Sequence, residues 1–295
     1  MKEKPFSKYQ ILANAVMIIW TLAIILPFIL LFMSSITDEN TLVANGYSFF
    51  PKKFSLASYS YIIKSGGQIL KAYGVSIGVT VVGTLLNVLL SALMAYPLSV
   101  KNLPGRNVMM FFVFFTMLFN GGIVPSYIMW TGTFHIKDTI FAQLLPNFLL
   151  SAWNVMMIRT YFTTSIPDGL YEAAEIDGAS QFTIFWKIVL PLGPFLVTMG
   201  TFAGLAYWND WTNGLYYIVK NTGLYNVQNL LNQMVQNIQF LTQSSNSNVT
   251  AAASTIPATG IQMAIAFVAI LPIMLIFPSF QKYYAKGIAL GAVKG

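Results

Sequence analysis

Cysteine is absent from this 295-residue sequence. That excludes disulfides, thiolate metal sites and cysteine nucleophiles, and leaves the compartment open. Histidine occurs once, at His135 beside Lys137 and Asp138. A single imidazole makes no typical metal site, and no obvious partner completes a catalytic pair. Charge is scarce as well: 8% of residues are Asp, Glu, Lys or Arg, against about 25% in soluble domains. No G-x-x-x-x-G-K-[ST] loop occurs, so the chain does not hold ATP by a Walker loop. No basic cluster interleaves with aromatics, so the formal charge of +7 reads as lysines flanking membrane spans rather than a nucleic-acid surface.

What fills the space is apolar: 56% of the residues are hydrophobic. A helix needs about 20 mainly apolar residues to cross roughly 30 Å of hydrocarbon, and only helices and closed barrels satisfy their backbones there. The runs are too long and unbroken for barrel strands, so an all-α polytopic membrane protein is expected. Six spans are predicted: Ile11–Ser35 (with Pro27 as a kink), Ala72–Val100, Val108–Trp130, Ile140–Tyr161, Leu192–Val219 and Pro257–Tyr283. Ile11–Met33 exceeds a signal-peptide core of about 7–15 residues and no cleavage site follows, so it reads as an uncleaved span. The chain then divides into residues 1–71 (first span and long external loop), 72–283 (a five-helix core) and 284–295 (a tail). Ten Lys and Arg fall on the side of both termini and six on the other, which places the termini in the cytoplasm.

The external loops differ in character. Thr37–Lys71 carries Phe49-Phe50-Pro51, Tyr59, Tyr61, Ile62 and Ile63, which suit a membrane interface. In Lys220–Ile256, Leu224, Val227, Leu230, Leu231, Met234, Val235, Ile238 and Leu241 follow the spacing of an amphipathic helix. Ser244–Ser254 reads as a polar connector.

One charged island interrupts the apolar runs. Tyr171–Pro191, with the residues just before it, holds Asp168, Glu172, Glu175 and Asp177, four of the nine carboxylates. Ser165-x-x-Asp168, with Pro167, resembles a capped helix start. Gly178 is a natural stop, and a second helix is expected from about Gln181 to Leu190, ended by Pro191. The product is a helix–turn–helix elbow whose outer turn is walled by Ala173, Ala174, Gly178 and Ala179. Small side chains permit close approach by a partner, and Glu172 and Asp177 would meet its basic groups. A solvated, well-capped loop fits the same residues.

Glu172-Ala173-Ala174, Gly178 and Ile188-x-Leu190-Pro191, with their spacing, resemble the EAA loop of membrane subunits of bacterial ATP-binding-cassette importers. Ser91–Arg106 is similar to a stretch of the carbohydrate-importer branch, and Phe280–Gly295 to the C-terminal signature of the maltose-type second membrane subunit. Gly121–Pro125 and Gly223–Leu241 look like the subgroup associated with acidic plant or algal oligosaccharides. Gly74-Val75-Ser76 departs from the Asn-Ser that many relatives carry at the start of the second span. The resemblance implies a type I importer permease fold in the bacterial plasma membrane. It implies a second, homologous permease subunit, a cytosolic ATPase dimer carrying ATP and Mg, and an extracytoplasmic sugar-binding protein as partners. Glu172, Ala173, Ala174, Asp177, Gly178, Ala179, Ile188, Leu190 and Pro191 would couple to the ATPase. The tail residues Lys286, Gly287, Gly291, Lys294 and Gly295 would reach between its subunits.

Trp208-Asn209-Asp210-Trp211 is the most conspicuous polar cluster inside a span. Asp210 stands about 19 residues, or roughly 28 Å, along it. Aromatic rings beside Asn and Asp suit a sugar or a cavity; an interfacial belt with an exposed Asp fits as well. Asn87 and Asn120 read as interhelical hydrogen-bonding residues, and the Phe111–Phe119 run as lipid-facing or packing surface. No cofactor of this chain is indicated. An ion-coupled secondary transporter, or a membrane enzyme acting on lipid-linked sugars, stands as the alternative. The first would need more intramembrane titratable groups, and the second an acid/base or metal constellation.

Overall fold

The computed structural model describes residues 8–64, 66–193, 195–243 and 258–292, the side chains of 238, 241–243, 277 and 279–292 excepted. Regular structure among them is helical, with one isolated bridge between Thr37 and Phe54. In chain order the helices are α1 (Lys8–Ser35), α2 (Glu39–Asn45), α3 (Ala57–Lys64), α4 (Gly66–Ser99), α5 (Arg106–Leu118), α6 (Ile123–Ile128), α7 (Phe141–Leu144), α8 (Ala152–Ser165), α9 (Asp168–Ile176), α10 (Gln181–Ile184), α11 (Phe195–Asn209), α12 (Thr212–Tyr217), α13 (Val227–Gln243) and α14 (Ala258–Ala292). π-helical turns at Met129–Thr133 and Phe185–Val189 extend α6 and α10.

The described residues form two compact units, one drawn from Met1–Ile69 and Leu231–Pro272, the other from Leu70–Leu230 and Ile273–Gly295. In the first, α1 continues unbroken through Pro27 and leaves Ile18, Ile19 and Trp20 exposed, as a helix apolar on every face does in lipid. The expected amphipathic helix is α13, and its Leu231 and Met234 pack on Ile62, Ile261, Ala264 and Ile265. Glu39 accepts the N–H groups of Thr259 and Gly260, at 2.8 Å each. A helix leaves its first N–H groups unpaired, and a carboxylate at that positive end satisfies them. Of the residues expected at a membrane interface, Phe50 and Ile63 are 85% and 75% exposed, while Ile62 is buried in this unit's core with Tyr59 packed against it. The connector at Ser244–Ser254 lies outside the described residues.

Three of the six expected spans differ in form from the prediction. Helices long and apolar enough to cross a membrane are Lys8–Ser35, Gly66–Ser99 and Ala258–Ile276, and α5 with Ile123–Thr133 makes a pair bent by 109°. The second span starts at Gly66 rather than Ala72. The third bends where Asn120 accepts the Gly122 N–H, so Asn120 is an exposed turn residue and not an interhelical one. The fourth breaks between α7 and α8 around Pro146 and Asn147. The fifth turns at Leu192 and Gly193, runs as α11 and stops at Asn209. Apolar length alone does not report a break whose freed backbone groups find partners inside the protein.

Candidate functional site

The elbow takes shape from local chemistry. Ser165 is the last residue of α8 rather than a cap; Pro167, extended and without a side-chain cap bond, precedes α9. Proline suits this position because the first helical N–H groups need no partner within the helix. At the other end Gly178 has φ +76°, a left-handed conformation that an L side chain adopts at a cost of about 1–2 kcal/mol. The Gly178 N–H reaches the Glu175 carbonyl and the Ala179 N–H the Ala174 carbonyl, both at 3.0 Å. This reciprocal pair closes the last turn of α9. Ser180 then accepts the Thr183 N–H at 3.2 Å and starts α10.

The two faces of the elbow are unlike. Ala174, Ile184, Phe185 and Val189 are buried in one core with Ala95 and Leu98 of α4, Ile158 and Phe162 of α8, and Met199 of α11. Ala174 therefore roots the elbow rather than walling its outer turn: it falls on the inner stripe of α9, one position from exposed Ala173. Each large apolar side chain so buried contributes about 1.5–3 kcal/mol. Gln181 ties the halves together, donating to Glu175 at 2.8 Å and accepting from the Tyr96 hydroxyl at 2.6 Å. Lys101 pairs with Asp168. Burial, with Tyr96 and Asp168 nearby, pushes the Tyr171 phenol up to about 12, so it stays neutral at ordinary pH. Glu172, Ala173, Asp177 and Gly178 are exposed, and a side chain built on Gly178 would meet nothing within 4 Å. Ala179, Ile188 and Leu190 are half-buried, and Pro191 is exposed.

The four residues of the Trp-Asn-Asp-Trp cluster do not converge. Trp208 and Asp210 are buried, at 7% and 6% exposure, while Asn209 and Trp211 are exposed. Asp210 accepts from Thr212 N at 3.0 Å, Thr212 Oγ1 at 2.7 Å and Asn213 N at 3.3 Å, and so caps α12. Besides Asn87, buried amides that composition did not single out serve this part of the fold. Asn87 donates to the Phe148 carbonyl at 2.6 Å and accepts from Asn154 at 2.7 Å, the interhelical role expected of it. Asn213 donates to the Pro146 carbonyl, Asn226 to that of Asp210, Gln143 to that of Leu224 and Asn229 to that of Trp211. Most of these carbonyls belong to the breaks after α7 and α11, where the amides supplement the backbone: the Pro146 carbonyl also accepts the Phe148 N–H at 2.9 Å and the Trp211 carbonyl the Leu215 N–H at 3.1 Å. The signal in the sequence was Asn or Gln recurring beside Pro146 and Asp210. Close packing completes the region: a side chain on Gly83 would overlap the Tyr207 ring, whose hydroxyl donates to the Leu144 carbonyl at 2.9 Å.

Backbone helix extends through Lys286, Gly287 and Gly291 as far as Ala292. Lys294 and Gly295 lie outside the described residues. Among the described residues no group of three or more His, Cys, Asp or Glu could hold a metal.

The family description "binding-protein-dependent transport system inner membrane component" matches residues 72–290. Protein LplC of Bacillus subtilis is 36% identical over 92% of this chain and 90% of its own length. The polygalacturonan/rhamnogalacturonan transport system permease protein YtcP of the same organism is 36% identical over 97% and 98%. A chain from the crystal structure of a bacterial ABC transporter involved in the import of the acidic polysaccharide alginate superposes with a TM-score of 0.78. It is 26% identical, over 95% of this chain and 100% of that one. The match spans the elbow, the amide cluster and all but the first helices, and the chain belongs to the binding-protein-dependent inner membrane components, the permease subunits of ABC importers.

Proposed function

We propose that this permease subunit serves the uptake of an oligosaccharide, with acidic plant- or algal-type sugars as the favoured class. The relatives named for polygalacturonan/rhamnogalacturonan and alginate transport support that class. In this reading the chain crosses a bacterial plasma membrane six times, the broken segments 106–133, 141–165 and 195–217 included, with both termini in the cytoplasm. Residues 72–283 form the permease core, 1–71 the first span and external loop, and 284–295 the tail. The chain works beside a second, homologous permease. An extracytoplasmic binding protein delivers the sugar, and a cytosolic ATPase dimer holds ATP and Mg.

The observation that carries the mechanism is the elbow. Glu172, Ala173, Asp177 and Gly178 face outward for the ATPase, with Ala179, Ile188, Leu190 and Pro191 on its flank, while Ala174, Ile184, Phe185 and Val189 sit in the core. Closure of the ATPase moves the elbow, and a packed core transmits the displacement because it is nearly incompressible. The helices then rock between inward- and outward-facing states, driven by the partner's different affinity for the two. Lys286, Gly287, Gly291, Lys294 and Gly295 add a tail contact to the ATPase, and the Trp208–Trp211 cluster lies beside the sugar path.

The test is Gly178→Glu in the assembled transporter. Sugar uptake should be lost while membrane insertion and ATP hydrolysis persist. Unchanged uptake overturns the docking role.

A further inference from the structure

The face where α5 and α8 meet carries charge that the proposed coupling does not use. Arg106 opens α5, and Arg159 lies midway along α8. Arg106 and Arg159 stand one helical turn beyond Met109 and Val155, which line one cavity between the two helices. The Arg106 Nε is buried and has no hydrogen-bond partner. Arg159 spends its Nε on the Leu98 carbonyl, at 3.2 Å. Ion pairs among the described residues are Lys53–Asp38 and Lys101–Asp168, so neither arginine has a carboxylate. Cations set at the edge of an apolar bundle without carboxylate partners are unfavourable unless an anion joins them.

The space beside them has two parts. A cleft of about 330 Å³ is lined by Lys101, Leu103, Gly105, Arg106, Asn107 and Val108. A second cavity of about 520 Å³ is lined by apolar residues, Met94 and Leu98 of α4, Met109 and Val113 of α5, and Ala152 and Val155 of α8 among them. Helical spacing joins the two. Arg106, Met109 and Val113 follow one face of α5, and Ala152, Val155 and Arg159 one face of α8. The arginines therefore cap the groove that the apolar residues line. Met109 and Phe112 are 40% and 61% exposed, so the groove opens to its surroundings.

We propose that this groove binds an anionic diacyl phospholipid of the cytoplasmic leaflet. Its phosphate lies between Arg106 and Arg159, with Lys101 beside it, and an acyl chain fills the apolar cavity. The chemistry matches part for part: guanidinium groups pair with phosphate oxygens in forked geometry, and basic pockets between spans on the cytoplasmic side suit such headgroups. A soluble anion would use the cleft but leave the apolar part empty. The assignment of the leaflet rests on the topology proposed above, because Lys101 and Asp168 tie this end of α4 to the elbow.

The test uses the assembled transporter in nanodiscs of phosphatidylglycerol diluted in phosphatidylcholine, with lipid retained through purification counted by native mass spectrometry. The parent should retain phosphatidylglycerol in preference to phosphatidylcholine. The Arg106→Gln/Arg159→Gln variant should lose that preference, with affinity roughly tenfold weaker from the missing charge-assisted bonds. Met109→Trp, which fills the groove and keeps both charges, should weaken retention too. Equal retention of phosphatidylglycerol by the parent and both variants overturns the proposal. So does a double variant that keeps its lipid and sheds the ATPase, which would make the arginines a protein contact. Co-purification of the ATPase with the parent reports on the permease reading separately.

Discussion

Asp138 shows how one side chain fixes a loop. It accepts the backbone N–H groups of Val219 and Lys220 at 2.7 Å and of Asn221 at 3.2 Å, all through Oδ1. The Lys220 N–H, then that of Val219, hold its carboxyl below the ordinary carboxylate range, with smaller help from Asn221 and Lys137 and against a desolvation that acts the other way. A depressed folded value means the ionised form stabilises the fold. That contribution is complete above the unfolded value of about 4 and is lost as pH falls through the folded one. Thermal unfolding of the purified protein should therefore separate parent from Asp138→Asn at neutral pH, and the two curves should converge below about pH 4. A gap that persists unchanged well below pH 4 would show the carboxylate charge to be irrelevant. His135, which the sequence sets beside Asp138, contributes a left-handed backbone at φ 52° and has no assigned chemistry.

Helix ends and helix breaks explain the buried polar side chains. Glu39 stands beside Asp38 in the segment after α1, and its value lies in capping α14, more than two hundred positions away in sequence. Glu39→Ala should lower stability by about 0.5–2 kcal/mol, the worth of a good cap, read as a shift in unfolding midpoint. The break after α7 depends on amides instead. Asn213→Leu keeps the volume and removes the donor to the Pro146 carbonyl and the acceptor for Asn147. The Pro146 carbonyl keeps the Phe148 N–H at 2.9 Å, so the loss is that of a buried hydrogen bond, about 0.5–1.5 kcal/mol. Asn213→Leu should lose that stability, and an unchanged midpoint would mean that water replaces the side chain. Both residues were in plain sight, but neither role can be read from its neighbours: each partner is set by the packing of distant elements.

At the scale of the whole chain, the absence of cysteine offers a direct test of topology. Single substitutions Lys187→Cys in the elbow and Lys220→Cys in the external loop place lone thiols at exposed positions. With both termini cytoplasmic, an impermeant maleimide should label Lys220→Cys in intact cells and Lys187→Cys only after permeabilisation. The reverse pattern would invert the topology and with it the docking of the elbow. An ion-coupled carrier would need further titratable groups in the spans, and a membrane enzyme a convergent catalytic set. Membership of the importer-permease family accounts for the chain without either.

Composition, apolar run length and a motif spaced over the elbow were enough to determine the class of molecule, its helical build and the position of its candidate coupling segment. These are local properties: hydropathy over about 20 residues decides membrane residence, and a glycine with flanking caps decides a turn. Three outcomes depended on tertiary structure. Packing placed Ala174 inward and Ala173 outward, broke three apolar runs around buried amides, and set Arg106 and Arg159 one turn beyond the residues that line one groove. Each depends on which distant groups satisfy a carbonyl, fill a space or crowd a charge, and such partners are chosen by the fold as a whole.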